Sequence, residues 1–259
     1  SNTYMNGRVT RVAAVAALCL SAWSGPGYWH SARADLVGHG GMVRAVDVSP
    51  DGSRVLTGSF DFTARLWDFG LQSEIAVLNE HAGPVTSVAF LPDGRRGLTT
   101  SDDMTAILWD LESGKLVRRL VGHKHKVMTV AVDREGRLAA TGGWDKTIRI
   151  WDLATGNTLR VIELPSPVNA VAFLDDGRVV SGSHDGKIRL WNAAGGIDGT
   201  LEGHAMGITQ INVSPNGGQL LSSSIDKTIR VWDVASLREL RSIKVHDGQV
   251  FGAVFSPDG

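Results

Sequence analysis

Five times in this chain a Trp closes a short apolar run and is followed at once by Asp or Asn: Trp67-Asp68, Trp109-Asp110, Trp151-Asp152, Trp191-Asn192 and Trp232-Asp233. The spacings are 42, 42, 40 and 41 residues. Self-similarity at a fixed period of this size marks a chain built from stacked copies of one unit, none of which buries its own core alone. That excludes most single-core folds and makes the repeated residues structural before anything else.

Aligned on the Trp, further positions fall into register. Six residues earlier stands an Asp: Asp61, Asp103, Asp145, Asp185 and Asp226. Four before each Asp is a hydroxyl residue: Thr57, Thr99, Thr141, Ser181 and Ser222. Upstream, a His precedes a β-branched residue by four in the pairs His39/Val43, His81/Val85, His123/Val127, His204/Ile208 and His246/Val250. The fourth copy alone departs, with Leu164 before Val168. Between these marks apolar residues alternate with period two, as half-buried strands require. Val43 to Val48 reads as one strand, Ser49-Pro50-Asp51-Gly52 as a tight turn, Arg54 to Gly58 as a second strand and Thr63 to Trp67 as a third. A fourth lies beyond a polar connection, as in Lys115 to Leu120. Four antiparallel strands per copy predict an all-β chain, with the sheets set radially as a β-propeller.

At these residues the chain resembles the WD40-repeat (WD-repeat) β-propeller family, over about residues 36–259. The resemblance implies that His, Ser/Thr, Asp and Trp of each copy form one hydrogen-bonded chain within a blade. The complete sets are His39-Thr57-Asp61-Trp67, His81-Thr99-Asp103-Trp109, His123-Thr141-Asp145-Trp151 and His204-Ser222-Asp226-Trp232. The fourth copy retains Ser181, Asp185 and Trp191. Each bond contributes about 0.5–1.5 kcal/mol, and more is lost where one partner is left buried and unpaired. The copy with Leu164 is therefore expected to have the weaker network, and loss of Asp185 to cost less than loss of Asp145.

His, hydroxyl and Asp together also make nucleophiles. An enzyme needs one active site, however, and this set occurs complete four times, so no catalytic residue is assigned. His123 and His125 are two close imidazoles, but His123 already belongs to its blade, and no metal is expected. The sequence has neither a phosphate-binding glycine loop nor a His-Glu-x-x-His signature, and no cofactor is expected.

Residues 1–34 differ in kind. Met5 reads as the natural start, preceded by upstream translation or a cloning remnant. Arg8 and Arg11 without an acid, the apolar run Val12 to Trp23, and Ser31-Ala32-Arg33-Ala34 describe a secretory signal peptide cleaved after Ala34. The apolar run falls short of the roughly 20 residues that span a bilayer. The single Cys, Cys19, lies inside it, so a processed chain has no disulfide. An exported chain, in a bacterial periplasm, is the expectation; without cleavage it would be cytoplasmic. Cleavage would also remove most of the outer-strand position Ala32 to Val37.

The chain has 26 basic and 27 acidic residues, and loss of Arg8, Arg11 and Arg33 with the leader leaves a net charge near −4. That gives no electrostatic footprint for nucleic acid, and no basic run suggests an anionic membrane. Val250 to Phe255 and Ser256-Pro257-Asp258-Gly259 read as the opening of a sixth copy, so residues 35–259 are expected to be five blades and the start of a sixth. The family's usual seven blades lead to the expectation of a fragment of a longer protein.

The resemblance implies a non-enzymatic scaffold that binds other proteins or peptides at one rim. The alternative is an accessory or ligand-binding propeller of an electron-transfer protein, linked to a c-type cytochrome domain beyond the chain's end. By analogy with the family, the residue before each repeated Asp and those flanking the β-branched residue crowd one rim. They are Met42, Arg44, Phe60, Asp102, Lys126, Met128, Trp144, Asn169, His184, Ile225 and Phe251. Aromatic, Met and Arg residues are enriched at interfaces, which makes Trp144 the expected anchor, beside Phe60 and Met128.

Overall fold

The computed structural model describes residues 38–245 and 247–256. Five four-stranded antiparallel sheets follow one another along the chain. The first holds β1 (Val43–Val48), β2 (Arg54–Ser59), β3 (Ala64–Asp68) and β4 (Ser73–Leu78). The second holds β5 (Val85–Phe90), β6 (Arg96–Ser101), β7 (Thr105–Asp110) and β8 (Lys115–Val121). The third holds β9 (Val127–Val132), β10 (Leu138–Gly143), β11 (Thr147–Asp152) and β12 (Thr158–Glu163). The fourth holds β13 (Val168–Phe173), β14 (Val179–Ser183), β15 (Ile188–Trp191) and β16 (Ile197–Leu201). The fifth holds β17 (Ile208–Val213), β18 (Gln219–Ser224), β19 (Thr228–Asp233) and β20 (Arg238–Lys244). The expected five blades are present, and the described residues contain no helix.

Within each sheet the strands pair in chain order, and the first strands β1, β5, β9, β13 and β17 pack side by side in sequence. The core therefore lies between sheets. Leu56, Leu66 and Leu78 of the first blade meet Val85, Ile107 and Trp109 of the second. Ala140, Ile148 and Ile162 of the third meet Val168, Val179 and Trp191 of the fourth. One face of each sheet belongs to the blade before and one to the blade after, which is why the second strands β2, β6, β10, β14 and β18 are buried along nearly their whole length. Close approach needs a small residue on β14. A Cβ built on Gly182 would come within 2.5 Å of Ile208 Cγ2.

Two bulges recur. Each first strand skips one residue (Arg44, Thr86, Met128, Asn169 or Thr209) near its start. Each outer strand shifts register opposite the repeated Trp. The outer bulges blunt edges that would otherwise offer unbroken rows of backbone groups.

The segment expected to open a sixth blade forms no strand ladder. It lies along β17, held mostly by side chains: Thr209 Oγ1 donates to Val250 O at 2.6 Å, Asn212 Nδ2 to Ala253 O at 2.6 Å, and Ala253 N to Gln210 Oε1 at 3.1 Å. Neighbouring first strands meet in the same way elsewhere, Thr86 reaching Val127 O and Asn169 reaching Ile208 O, so the segment takes a first strand's place beside β17. His246, residues 257–259, the leader 1–34 with Cys19, and the outer-strand position at 32–37 lie outside the described residues.

Candidate functional site: a polar network inside each blade and a mixed rim above it

Blade one shows how the repeated residues meet. Trp67 is buried, and its indole N–H donates to Thr57 Oγ1 at 2.8 Å. His39 Nε2 lies 2.7 Å from the same hydroxyl, and His39 Nδ1 lies 2.8 Å from Asp61 Oδ2. A carboxylate only accepts, so Nδ1–H donates to Asp61, Nε2 accepts, and the threonine O–H supplies that proton. Asp61 also receives Gly40 N, Thr63 N and Thr63 Oγ1. The chain of bonds joins the loop before β1, strands β2 and β3, and the turn between them.

The arrangement recurs with the same distances to within 0.1 Å in the second, third and fifth blades. His81 bridges Thr99 (2.7 Å) and Asp103 (2.8 Å), His123 bridges Thr141 (2.7 Å) and Asp145 (2.9 Å), and His204 bridges Ser222 (2.7 Å) and Asp226 (2.8 Å). Trp109, Trp151 and Trp232 each donate at 2.8 Å to the hydroxyl of their blade. Burial would raise each Asp, but hydrogen bonds from the following Thr and the His hold Asp61 and Asp226 far down, Asp226 at about 2. Asp103 and Asp145 are likewise lowered, with the imidazole as the leading lowering contact. His39 and His204 are lowered by burial despite the adjacent carboxylate. Neutral imidazole against an ionised carboxylate is therefore the resting state in blades one and five. Each hydroxyl is buried and engaged by both Trp and His, so none faces a substrate.

Blade four corrects an expectation. Trp191 still donates to Ser181 Oγ at 2.8 Å, and Leu164, where the imidazole would stand, is buried in the apolar layer between blades. Asp185 nevertheless has a partner. Arg189 Nη2 donates to Asp185 Oδ2 at 2.7 Å, and Nη1 reaches Oδ1 at 3.3 Å and Ser183 Oγ at 3.5 Å. In blades one and five the matching Arg65 and Arg230 turn instead to Glu74 and Glu239. The Arg position was not singled out in the sequence, and its signal is the Arg shared by four of the five third strands.

The two sets of expected rim residues are joined in every blade. Phe60 N donates to Met42 O (3.0 Å), Asp102 N to Pro84 O (3.0 Å), Trp144 N to Lys126 O (2.9 Å), His184 N to Pro167 O (2.9 Å) and Ile225 N to Gly207 O (3.0 Å). Met42, Arg44, Phe60, Trp144, His184 and Phe251 are exposed; Asp102, Lys126, Met128 and Ile225 are half-buried. Arg44 stands over the Phe60 ring at 5.6 Å. Trp144 is 40 % exposed, yet it also leans on its neighbours. Lys126 Nζ lies 5.7 Å from its ring centre, the His125 ring lies 5.9 Å away, and its N–H reaches Asn169 Oδ1 at 3.2 Å. Lys126 also pairs with Asp102 at 2.6 Å.

Asn169 departs from the rim expectation. Its bulge turns the side chain sideways, where Nδ2 donates to Ile208 O of the next blade at 2.9 Å. Thr86 and Thr209 act likewise toward Val127 O and Val250 O. These bulged residues clamp neighbouring blades together. The sequence reading also passed over Phe62, Met104, Lys146 and Met206, all exposed at the same rim; the first three each follow the repeated Asp. The described residues hold no group of three or more His, Cys, Asp or Glu arranged for a metal, and no helix long and apolar enough to cross a membrane.

A family model described as "WD domain, G-beta repeat" matches residues 30–68, 72–110, 114–152, 156–192 and 195–233. The chain is 38% identical over 95 residues to a protein named "Transcriptional corepressor LEUNIG_HOMOLOG" of Arabidopsis thaliana, covering 36% of this chain and 12% of that protein. It is 31% identical over 112 residues to "Coronin-7" of Mus musculus, covering 37% and 12%. It is 44% identical over 70 residues to "Nuclear distribution protein nudF 2" of Penicillium rubens, covering 26% and 15%. The chain thus spans no more than 15% of the length of these relatives.

Proposed function

Because the chain belongs to the WD40-repeat family, we propose that it is a non-enzymatic scaffold that binds another protein or peptide at the rim carrying Met42, Phe60 and Trp144. The observation that supports it most is large apolar and aromatic side chains half exposed beside cations, on turns that the buried networks hold rigid. Such anchors on a preorganised support are what interface hot spots require. Trp144 is the central anchor, with Phe60 and Met128 beside it and Arg44 and Lys126 supplying charge. Once a partner is captured, Trp144→Ala is expected to weaken binding by about 2 kcal/mol or more while the melting curve stays nearly unchanged. A mutant that melts earlier and keeps its affinity would make Trp144 a packing residue and move the binding face elsewhere.

Export is the second part of the proposal. It rests on the composition of residues 5–34 alone, and the relatives named above are eukaryotic and give it no support. The first matched repeat begins at residue 30, so cleavage after Ala34 would trim that repeat. A precursor expressed in a Gram-negative host is expected to be shortened to a start at Asp35; recovery of uncleaved protein solely in the cytoplasm rejects export. Nothing in the repeats or among these relatives favours the cytochrome-linked alternative.

A further inference from the structure

The residue after each repeated Asp tells more about the partner. In four of the five blades it is a large residue with left-handed backbone: Phe62 (φ 74°), Met104 (φ 71°), Lys146 (φ 64°) and Lys227 (φ 74°). Bulky residues rarely adopt this conformation, because Cβ crowds the backbone. Blade four places Gly186 there (φ 80°), so the turn itself does not demand a side chain. At the opposite end of the blades, left-handed Leu237 has a packing reason, since it lies against the core between blades four and five, and Gln72 is polar. Phe62 and Met104 have neither excuse. Each is 45 % exposed and neither joins a core cluster.

Chemistry shades along the rim. Blades one and two present Met42, Phe60, Phe62 and Met104 on adjoining turns, with Arg44 over Phe60, and exposed Trp144 and Met206 continue the apolar surface on blades three and five. Blades three to five present Lys124, Lys146 and Lys227, none of which has an ion-pair partner among the described residues, with His125 and His184 between them. The acids on that side are mostly engaged: Asp145 and Asp226 by their imidazoles, Asp185 by Arg189 and Glu202 by Lys187, which leaves Glu163. Phe62 and Met104 hold a strained backbone with nearly half of each side chain in solvent, and backbone strain of this kind clusters at sites of contact.

We propose that this rim takes an extended acidic peptide segment bearing one large apolar or aromatic side chain. The apolar residue seats among Phe60, Phe62 and Met104, and the carboxylates lie over Lys124, Lys146 and Lys227. This rests on the rim reading above and adds the partner's chemistry. Complementary charge sets register and speeds encounter, and the apolar anchor supplies most of the affinity.

The test uses fluorescent peptides of stated composition with the whole chain. One carries an aromatic residue followed by Asp and Glu, a second replaces the acids with Asn and Gln, and a third replaces the aromatic with Ser. The first is expected to bind, and the other two to bind roughly tenfold more weakly or worse, with the preference for acids fading as salt rises. Lys124→Glu with Lys146→Glu and Lys227→Glu should erase the preference for acids. Phe62→Gly with Met104→Gly should weaken binding while leaving the melting temperature unchanged or raising it, because glycine relieves the left-handed backbone. Failure of the acidic peptide to bind, equal binding of the amide peptide, a lower melting temperature in the glycine variant, or displacement by a single-stranded oligonucleotide would each overturn the proposal. If peptides bind, lose affinity on Trp144→Ala and ignore the lysine reversals, the acidic partner fails while the rim stands. If no rim substitution matters, the rim reading fails as well.

Discussion

Arg189 grips Asp185 through two nitrogens, at 2.7 and 3.3 Å, in the blade where Leu164 stands in place of the repeated His. The guanidinium is nearly buried, with 9 % of its side chain exposed. A lost imidazole has thus been answered from the third strand, and the carboxylate still orders the turn by accepting Lys187 N at 3.0 Å. Burial would raise Asp185, and the Arg189 bonds hold it below its usual range.

Because Arg189 would be stranded, Asp185→Ala is expected to cost about 1–3 kcal/mol, in the same range as Asp145→Ala. Urea melts of Asp185→Ala, Arg189→Ala and the double variant should give a coupling of about 0.5–3 kcal/mol. Additive losses would mean that the pair seen here does not stabilise the blade.

Protonation should weaken the networks in two windows. The folded pKa values of His39 and His204 lie below 6.5, so as pH falls through 6.5 the unfolded chain takes up protons that the native chain refuses. Stability is therefore full above that value and declines below it. The melting temperature should drop between about pH 7.5 and 5.5, and His204→Asn should flatten the drop. Further loss is expected from 3.8 down toward about 2, the folded value of Asp226. A melting temperature that holds steady or rises on mild acidification would contradict the neutral-imidazole state.

Gly182→Ala should test the spacing between blades four and five. The added methyl would lie 2.5 Å from Ile208 Cγ2, which forces the sheets apart at a cost of about 1–3 kcal/mol. Gly40→Ala is the control, since nothing lies within 4 Å of its would-be Cβ. Equal melting of the two variants would show that the blades give way freely.

Asn169 offers a test of the clamps between blades. Asn169→Ala removes the bond to Ile208 O and should destabilise by about 0.5–1.5 kcal/mol. It should also raise amide exchange at the start of β17. Unchanged exchange there would make the contact incidental.

Strand alternation and turn residues follow from neighbours close in the chain, so the five blades were legible without coordinates; the spacing showed that His, hydroxyl, Asp and Trp repeat, and the resemblance to the WD40 family implied the bonds among them. Period-two patterning marks the strands, and a repeat of about 40 residues determines that their apolar residues must meet those of other copies. What escaped depends on residues one blade away. The tertiary structure alone decided that Arg189 turns to Asp185, because buried Leu164 leaves that carboxylate without an imidazole; Arg149, which likewise has no acid at the matching place on its outer strand, leaves Asp145 to His123. It decided that bulged Asn169 points sideways as a clamp, because a bulge re-aims a side chain that alternation alone would place on the rim. It decided, too, that residues 250–255 lie along β17 without becoming a strand. A strand is a relation between two backbones, and alternation in one segment cannot supply the second.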